Sequence, residues 1–578
     1  MNVILDCDEF VAPICLDSFV QTSDVFGSDE HLSVFLATLG HVDYAVPTSD
    51  QQSLSSPQSV LWEAARQEEL LSCRSNVTWG PVTDLPRGHR AVNLGFVYAL
   101  KQSQNAAPRY KARLVFKNYR FATDSTWEET FSPVVDKSTL RIFFSLVARR
   151  KLFLRQGDIV TAYLNADMND EVYIKLPAIC NDPPGKVRRL LKALYGHPKA
   201  GQLWNNRFVK FMVDLHFSQC SRDPCFFYNL RDNIFVVLYV DDLLAACSSC
   251  RFLTSFWKKV STTFKMRDMG EPRLFLGMEV NYVQGQGLVT LSQGDYVSKL
   301  VTKFGIAETQ RPTTPIKSDY YKQLELSQSE PIVQDFPYRE LVGALLFVMV
   351  CTRPDIAFAV SCLSQYFSSP RALHWETALR CLAYLKQTSS FGLVFSGDSS
   401  DSLLAYSDSD WAGNPITRRS LGGHCVFFGN SLISWSSKAQ KGLLALSTTE
   451  SEYIEMALAI RQLLFLQPTL QELGFVDIHG STLLLGDNQP AISSVGNRSS
   501  KSRTKHIDVR LKFCGEVVRD GLLTIQYVPS AENIADIFTK PLPTVRFREL
   551  RSKLVRDVQP LITLGAEHTA QLLHLFST

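Results

Sequence analysis

Two adjacent aspartates, Asp241 and Asp242, interrupt one of the most apolar stretches of the sequence, NIFVVLYVDDLLAACSSC. An unpaired carboxylate buried among apolar groups costs several kcal/mol, and neighbouring carboxylates repel each other. FVVLYV and LLAA are typical of strands, and a bend between them would let both side chains approach one point, although neighbouring strand residues otherwise face opposite sides. A divalent cation there would neutralise the pair, and Mg²⁺ prefers carboxylate and phosphate oxygens.

Two carboxylates alone hold such an ion weakly, so we expect a third nearby. Asp158, in RQGDIVTAYLN, is the best candidate because it ends another apolar passage. A single aspartate in such a place is more commonly a turn residue or a helix cap. The apolar flanks of YVDD nevertheless favour a metal site built from Asp158, Asp241 and Asp242.

A second set of carboxylates is scattered through the C-terminal third of the chain, where the pattern begins a new α/β unit. Its members are Asp408 in YSDSDWAG, Glu452 in STTESEYIEMA, Asp487 in LLLGDNQPAI and Asp536 in NIADIFTKPL. Asp487 ends an apolar strand just before a helix, where open α/β sheets place their sites. Glu452 fits a capping box with Thr449, but Ser447 and Glu450 fit the same box equally well. We favour the second pairing, which leaves Glu452 free to bind metal.

The elements that must position these residues belong to several domains. The chain has 578 residues, 45% of them hydrophobic and 20% charged, which is too long for one hydrophobic core. The formal net charge of +3 does not by itself indicate nucleic acid as a partner. Basic clusters lie at 109–120, 186–192 and 501–512, and each alone is more commonly a solvated face.

The cysteine pattern and hydropathy indicate a compartment. The 13 cysteines are an odd number and widely scattered, which is typical of free thiols in a reducing environment. Cys247 and Cys250 form a C-x-x-C, for which two small residues at a strand end are a commoner explanation than a redox pair. The sequence shows no zinc-binding array, no apolar run of 18 residues and no signal segment, so we expect a soluble, intracellular protein without a membrane partner.

Helical periodicity marks several elements between the carboxylates. It predicts a helix over VLWEAARQEELLSC, whose apolar side comprises Leu61, Ala64, Ala65 and Leu70. A further helix is predicted to begin with Ser138 as its N-cap. Two apolar helices should be broken at Arg353 and Pro354, because proline cannot continue the preceding turn.

LYVDD resembles the signature of reverse transcriptases, and its surroundings resemble the copia-type group of LTR retrotransposons. The similar segments occur in order, as RYKARLV, TFSPVV, GDIVTAYLNADMNDEVYIKLP, ALYG, LYVDDLL, FKMRDMGEPRLFLGMEV, YRELVGALLFVMVCTRPDIAFAV and HWETALRCLAYLK. SDSDWAG, ISWSSKAQK, LSTTESEY, DNQPAI, SRTKHIDVR and ADIFTKPLP resemble a copia-type ribonuclease H domain. Because no protease DSG or DTG, zinc knuckle or integrase His-His-Cys-Cys array is visible, the chain resembles the C-terminal portion of a Pol polyprotein.

This resemblance implies the fold class, which is α/β and α+β multidomain. A right-hand polymerase with palm, fingers and thumb would be followed by a ribonuclease H-like α/β domain. We expect a poorly ordered leader (1–57), fingers and palm (58–305), thumb or connection helices (306–400), the ribonuclease H-like domain (401–545) and a C-terminal tail (546–578).

The resemblance also implies an RNA-directed DNA polymerase with ribonuclease H activity, using two Mg²⁺ per active site, or Mn²⁺. The metal-binding and catalytic residues would be Asp158, Asp241 and Asp242 in the palm, and Asp408, Glu452, Asp487 and Asp536 in the nuclease. The implied partners are an RNA template, a DNA primer, the RNA–DNA hybrid, dNTPs, and the integrase and capsid proteins of the element. The implied location is a cytoplasmic virus-like particle or the nucleus.

Lys111 and Arg113 are the candidates for gripping the nucleotide triphosphate, with a solvated strand face as the competing interpretation. Tyr163 occupies the place where related enzymes keep an aromatic ring against the sugar 2′ position, and strand core is an equally good explanation. FLGMEV, with Gly277 and Met278, stands where the family holds the primer end.

Arg503 and Lys505, in SRTKHIDVR, are the candidates for contacting phosphates of the hybrid. The chain departs from the family mainly at YGHPKAGQLW, where members commonly have YGLKQAPRAW, so Lys199 replaces a glutamine expected near the template base. FVYALK similarly replaces WVFK. The alternative to an enzyme is an inactive, decayed fragment that only binds nucleic acid, and the presence of all seven carboxylates favours the enzyme.

Overall fold

The computed structural model describes residues 46–103, 106–117, 132–282, 285–332, 336–397, 400–440, 445–475, 482–496 and 505–561. The first elements are α1 (Asp50–Ser55), α2 (Ser59–Ser75), β1 (Trp79–Thr83), β2 (Ala91–Ser103), β3 (Ala106–Phe116), α3 (Lys137–Arg149), β4 (Phe153–Ile159), β5 (Tyr173–Lys175), β6 (Val187–Leu190) and α4 (Ala200–Asp214). They are followed by β7 (Ser218–Gln219), β8 (Phe226–Asn229), β9 (Ile234–Tyr239), β10 (Asp242–Cys247), α5 (Cys250–Thr263), β11 (Met266–Gly270), β12 (Leu274–Phe275), β13 (Met278–Tyr282), β14 (Leu288–Ser292) and α6 (Gly294–Lys303).

The remaining elements include the helices between the two predicted catalytic units. These are α7 (Tyr320–Leu326), α8 (Tyr338–Cys351), α9 (Ala357–Ser364), α10 (Ala372–Gln387) and β15 (Phe391–Ser396). The C-terminal unit contains β16 (Leu403–Asp410), β17 (Leu421–Phe428), β18 (Ser431–Ala439), α11 (Thr448–Glu472), β19 (Leu483–Gly486), α12 (Gln489–Gly496), α13 (Lys505–Arg519), β20 (Thr524–Tyr527), α14 (Thr544–Leu554) and β21 (Arg556–Asp557). None of the described helices is both long enough and apolar enough to cross a membrane.

The fingers sheet has the strand order β1-β6-β5-β2-β3, and α2 packs against β3. The apolar side predicted for α2 is partly wrong, because Leu61 and Ala64 are exposed. Trp62 is 1% exposed and sets the buried face, since its ring contacts the edges of Tyr98 and Tyr110 at centroid distances of 5.4 and 4.6 Å. Large aromatic side chains dominate packing of this kind because each buries a large apolar area.

The predicted leader comprises residues 1–57, of which residues 1–45 lie outside the described part of the chain. Residues 46–57 contain α1 and are ordered, which corrects the expectation for this part of the leader. The Asp50 carboxylate accepts a hydrogen bond of 2.9 Å from the Tyr98 hydroxyl. The Arg66 guanidinium donates to that hydroxyl at 3.0 Å and to the buried Ser53 hydroxyl. This polar network attaches α1 to the fingers.

The palm sheet is antiparallel and has the order β11-β4-β10-β9-β8-β7. Its central strands β9 and β10 are buried on both faces, which explains why their sequences are continuously apolar rather than alternating. Val237 and Leu244 face a core shared with α3, whereas Val236 and Leu243 face the core below the fingers.

Helix α3 is almost wholly buried, and its N-cap lies two residues before the predicted one. Its N-cap is Asp136 rather than Ser138, because the Asp136 carboxylate accepts hydrogen bonds from the backbone N–H of Ser138 and Thr139. The backbone N–H of Asp136 donates in turn to the carboxylate of Asp223 at 2.8 Å, and the N–H of Cys225 donates to its other oxygen at 3.0 Å. The start of the helix therefore depends on a second carboxyl group behind the cap.

Asp223 should make the stability of the chain depend on pH. Burial raises the pKa of this 2%-exposed carboxyl from 3.8 to about 7. A pKa raised in the folded state contributes stability that is complete below pH 3.8 and lost as pH rises through 7. We expect the free energy of unfolding to fall by about 4 kcal/mol over that window from this group alone. Denaturant unfolding at several pH values should show a shallower fall for Asp223→Asn, and an identical slope would contradict the assignment.

A third sheet, with the order β12-β13-β14-β15-β21, joins parts that the sequence places in different domains. Strand β15 comes from the predicted 306–400 segment and pairs with β14 from the predicted palm. Strand β21 pairs with Phe391 and Gly392 of β15, although it lies in the predicted tail, 546–578. That expectation is corrected as far as Val558, which is buried, because β21 returns to pair with β15.

The helices α8 and α9 are separated at Arg353 and Pro354, as predicted. The Arg353 guanidinium is buried and makes two hydrogen bonds to the Asp355 carboxylate, at 2.9 and 2.8 Å. The Tyr384 hydroxyl of α10 donates to the same carboxylate at 2.6 Å. The interruption is therefore stabilised by a satisfied buried ion pair, whose loss on one side would leave an uncompensated charge.

The C-terminal sheet has the order β18-β17-β16-β19-β20. Strands β16 to β18 form an antiparallel meander, and β19 and β20 run parallel to β16. Helix α11 packs across β16 and β17. This is the arrangement of a ribonuclease H-like α/β domain, so the expected fold class, α/β and α+β with a right-hand polymerase first, is confirmed.

The palm sheet, the helices α8 to α10 and the C-terminal unit share one apolar core. The Arg141 guanidinium of α3 lies 3.7 Å from the ring centroid of Trp435 on β18. It also donates to the Ile433 carbonyl at 3.2 Å and to the Cys351 carbonyl at the end of α8 at 3.3 Å. Burial lowers the pKa of Arg141 to about 10. A buried guanidinium thus connects the palm, the thumb helices and the C-terminal unit.

Candidate functional site

The YVDD segment forms the tight turn between β9 and β10 that the apolar flanks predicted. Val240 adopts a φ of 54°, in the left-handed region that few residues with branched side chains occupy. The Trp204 Nε1–H at the start of α4 donates to the Val240 carbonyl at 2.7 Å. Trp204 therefore supports the backbone that presents Asp241 and Asp242, a role that the sequence did not reveal.

Asp158 lies on the neighbouring strand and is the direct cross-strand partner of Asp242. Directly paired residues on antiparallel strands place their side chains on the same face. The backbone N–H of Ile159 donates to the Asp241 carbonyl at 2.7 Å, which joins the turn to the end of β4. All three aspartates are half-buried and lie together where β4 ends and the turn leads from β9 into β10.

Two of the predicted nucleotide-binding residues, Arg113 and Tyr163, contact the ring of Tyr195. The Arg113 guanidinium on β3 lies 5.5 Å from the ring centroid of Tyr195, and the Tyr195 ring lies 4.7 Å from the half-buried ring of Tyr163. Burial raises the pKa of the Tyr195 hydroxyl; Arg113 opposes the shift and Asp241 adds to it. Lys111 is on the same face of β3 as Arg113, two residues away. The structure thus brings Arg113 and Tyr163 together at Tyr195, whose hydroxyl also interacts electrostatically with Asp241.

The predicted primer-binding segment is only partly available to a ligand. Leu276 and Gly277, with φ values of 49° and 74°, form the turn between β12 and β13, and Gly277 is exposed. The Met278 side chain is 2% exposed and belongs to the core, so the expectation that it contacts nucleic acid is wrong. As the first residue of β13, Met278 points inward by the alternation of the strand.

The unusual YGHPKAGQLW segment forms a turn followed by the beginning of α4. The Lys199 ammonium lies 2.9 Å from the Asp170 carboxylate. The backbone N–H of Lys199 donates to His197 Nδ1 at 3.2 Å, and burial lowers the pKa of His197 to about 4. The segment therefore leads directly into the helix that places Trp204 against the YVDD turn.

Three of the four carboxylates predicted for the nuclease site meet at one point. Each of Asp408, Glu452 and Asp487 offers an oxygen, and these oxygens all lie within 4.8 Å of one another. Asp408 is on β16, Glu452 is on α11, and Asp487 follows β19 directly. Among the described residues, no other three potential metal ligands are drawn so close, and the palm aspartates form a more open group.

The helix cap leaves Glu452 available, as the sequence favoured. Ser447 is the N-cap of α11 and accepts a hydrogen bond of 3.1 Å from the backbone N–H of Glu450. The Glu450 carboxylate accepts a bond of 2.6 Å from the backbone N–H of Leu446. Glu452 instead turns toward β16, where it accepts a bond of 3.3 Å from the backbone N–H of Ser409.

Asp536 joins this group through a lysine. It lies on the short 3-10 turn Ile534–Phe538 and is 7% exposed. The Lys540 ammonium lies 2.6 Å from the Asp536 carboxylate and 3.2 Å from the Asp408 carboxylate, and the Thr539 hydroxyl donates to Asp408. Burial opposes the charge on Lys540, but the two carboxylates raise its pKa. Lys540 and Thr539 were not identified from the sequence as part of this site.

The oxygen ligands of the nuclease group fit a divalent cation. Burial, reinforced by Asp408 and Asp487, raises the pKa of Glu452 to about 9. Burial also raises the pKa of Asp408 to about 6 despite the nearby lysine. A positive ion among these oxygens would relieve the crowding of negative charge. The palm group offers the same hard oxygen ligands in an open arrangement that substrate phosphates would complete.

The predicted phosphate contacts of this unit are Arg503 and Lys505. Arg503 lies outside the described residues. Lys505 is the first residue of α13, and only its backbone is described.

The chain is similar in sequence to several known proteins. Residues 76–318 match the family model described as reverse transcriptase (RNA-dependent DNA polymerase). The retrovirus-related Pol polyprotein from transposon TNT 1-94 of Nicotiana tabacum is 34% identical over 522 residues, which cover 88% of this chain and 39% of that protein. A Ty5-1 transposon protein of Saccharomyces cerevisiae is 31% identical over 301 residues, or 51% of this chain and 97% of that protein.

Among solved structures, the foamy viral protease-reverse transcriptase in complex with an RNA/DNA hybrid gives a TM-score of 0.41 at 11% identity, covering 83% of this chain and 55% of that chain. The chain spans between a third and two fifths of the length of the plant Pol polyproteins that it matches, at 39%, 34% and 35%. Since a transposon relative is matched almost from end to end, the chain belongs to the family of retrovirus-related Pol polyproteins of copia-type transposons and contains their reverse transcriptase segment.

Proposed function

We propose that this chain is an RNA-directed DNA polymerase that also cuts the RNA strand of the RNA–DNA hybrid it makes. The observation that supports it most is the pairing of Asp158 with Asp242 beside the YVDD turn, within the region that matches the reverse transcriptase model. Extension of a DNA primer on an RNA template by the purified chain tests the proposal.

In the polymerase, Asp158, Asp241 and Asp242 would hold the divalent cations where β4 ends and β9 turns into β10. Mg²⁺ held by these carboxylates would lower the pKa of a primer 3′-hydroxyl and would stabilise the charge that develops during displacement at the nucleotide α-phosphate. The fixed turn orients the carboxylates, because Trp204 and Ile159 hold its backbone on two sides. Preorganisation of this kind avoids reorganisation at the moment of reaction.

The fingers residues would bind the incoming nucleotide. Lys111 and Arg113 supply cationic donors on one face of β3, and a guanidinium suits phosphate oxygens because of its planar fork. The rings of Tyr195 and Tyr163 pack on each other next to Arg113, and the sugar of the nucleotide would lie against them.

Replacing Tyr163 by alanine should relax discrimination between sugars. A ring against the sugar leaves no room for an added 2′-hydroxyl, so exclusion is lost with the ring. We expect the ratio of deoxyribonucleotide to ribonucleotide incorporation to fall by about tenfold or more, which corresponds to about 1.4 kcal/mol. The matched control is Tyr228→Ala, a half-buried tyrosine on β8. An unchanged ratio with reduced solubility would show that Tyr163 only packs the core.

In the nuclease, Asp408, Glu452, Asp487 and Asp536 would hold cations for hydrolysis of an RNA phosphodiester, with water as nucleophile. Thr539 fixes one Asp408 oxygen, and the Lys540 ammonium offsets the charge of Asp408 and Asp536. The hybrid would be recognised by backbone shape and 2′-hydroxyl groups rather than by base sequence.

The partners that this function requires are an RNA template, a DNA primer, the hybrid and dNTPs. Mg²⁺, or Mn²⁺ in its place, is the proposed cofactor of both sites. The same proposal includes association with the integrase and capsid proteins of a transposon. It also includes a location in virus-like particles or the nucleus.

A further inference from the structure

A buried carboxylate on α2, Glu69, supports the nucleotide-binding side of the fingers. Its side chain is 4% exposed, and one of its oxygens lies 2.8 Å from the Arg113 guanidinium. The other oxygen accepts a hydrogen bond of 3.3 Å from the backbone N–H of Leu114. Glu69 therefore holds both the side chain of Arg113 and the backbone next to it.

The Arg113 guanidinium bridges the fingers and the palm site. Glu69 contacts it from α2, and the Tyr195 ring lies 5.5 Å away on the other side. Tyr195 in turn packs on Tyr163, and burial, together with the negative charge of Asp241, raises the pKa of the Tyr195 hydroxyl. The Arg113 side chain remains 28% exposed. It can therefore contact a ligand while one of its nitrogens is held by Glu69.

A neighbouring ion pair differs from the Glu69–Arg113 pair in its exposure to solvent. Glu68, the residue before Glu69, pairs with Arg109 at 2.7 Å between the same helix and strand. The side chains of that pair are 65% and 47% exposed, and exposed pairs of this kind contribute little. Burial raises the pKa of Glu69 although Arg113 opposes the shift, which shows how strongly the carboxylate has been removed from water.

We propose that Glu69 is a positioning residue for nucleotide binding, which fixes the Arg113 guanidinium against Tyr195 so that its free donors face the triphosphate of the incoming nucleotide. This inference rests on the proposed polymerase function. Without Glu69, the guanidinium loses its buried partner and samples many rotamers. The nucleotide then has to order the arginine as it binds, which weakens binding without touching the reacting atoms.

The effect should appear in the KM for the dNTP rather than in kcat, because binding common to the ground and transition states is lost. We expect Glu69→Ala to raise the KM about tenfold, because a charge-assisted hydrogen bond to Arg113 is lost. The same variant should change kcat by less than about twofold. Glu69→Gln, which keeps an oxygen acceptor, should recover part of the loss. Glu68→Ala, the matched control, should leave the KM unchanged.

A double-mutant cycle separates positioning from general damage to the fold. If Glu69 acts through Arg113, adding Glu69→Ala to Arg113→Ala should change the KM by less than about twofold beyond Arg113→Ala alone. The affinity for primer–template should stay the same in every variant. Additive effects on the KM, or equal losses in kcat and primer–template affinity, would overturn the positioning role.

The same experiment distinguishes this inference from the function on which it rests. Failure of the wild-type chain to extend primers and to form a dNTP-dependent complex on a dideoxy-terminated primer would contradict both. Extension by the wild type, with a KM that Glu69→Ala and Glu69→Gln leave unchanged, would contradict the role of Glu69 alone. The predicted result is extension with a KM that rises in the order wild type, Glu69→Gln, Glu69→Ala.

Discussion

Asp242→Asn will reduce DNA synthesis on an RNA template by about a thousandfold or more and leave cleavage of the hybrid nearly unchanged. Removing one carboxylate opposite Asp158 deprives the site of several kcal/mol of charge stabilisation, and each 1.4 kcal/mol is about tenfold in rate. Asp241→Asn should behave similarly. The measurement is the rate of primer extension alongside the rate of RNA cleavage, for the same preparations.

The control for this prediction is Asp268→Asn on β11. This carboxylate is also in the palm sheet, but it is 40% exposed and pairs with Arg155 rather than with the aspartate group. It should extend primers at close to the wild-type rate. Polymerisation retained in both Asp241→Asn and Asp242→Asn would show that these residues do not form the polymerase site.

Asp487→Asn should have the converse effect, leaving the RNA of the hybrid uncut while primer extension continues. Its oxygen meets those of Asp408 and Glu452 within 4.8 Å, so its loss breaks the tightest acidic group in the described chain. We expect a fall of about a thousandfold in cleavage rate, again several kcal/mol of lost charge stabilisation. Cleavage of an end-labelled RNA strand in a preformed hybrid measures it.

A suitable control for this nuclease variant is Asp520→Asn, since Asp520 is exposed at the end of α13 in the same unit. Hybrid cleavage at the wild-type rate by Asp487→Asn would mean that Asp487 is merely a strand-end residue. Because the two units share a core, thermal unfolding should accompany both assays, so that loss of one activity is not confused with unfolding.

The palm carboxylates could be placed from the sequence because local pattern determines them. Apolar runs on either side of Asp241 and Asp242 are sufficient to predict a hairpin, and the strand ending at Asp158 has the same character. Glu452 was likewise assigned from the spacing of the cap residues, which belongs to one helix turn. Signals of this kind span a few residues and survive without tertiary information.

The supporting residues could not be found in that way. Trp204 and Val240 are 36 residues apart, Glu69 and Arg113 are 44 apart, and Asp408 and Lys540 are 132 apart. Each contact depends on how helices and turns pack on a sheet, and no periodicity encodes it. The sequence would also predict the wrong environment for Glu69, because a glutamate within a run of polar residues is expected to be exposed to solvent.

The domain boundaries show the same limit. A change of pattern near residue 400 suggests a separate unit, and the described chain indeed forms its own five-stranded sheet there. The sequence gives no sign that Arg141 would lie on Trp435, or that β21 would return to pair with β15. Contacts between units are made by residues that each look like ordinary helix or strand residues.

Primer extension tests the central claim most directly. A purified chain, an RNA template with an end-labelled DNA primer, four dNTPs and Mg²⁺ are sufficient, with Asp242→Asn as the matched negative control. The account predicts Mg²⁺-dependent, template-directed extension by the wild type and none by the variant. Binding of the primer–template without extension by a folded wild-type chain would contradict it and would indicate a decayed fragment that only binds nucleic acid.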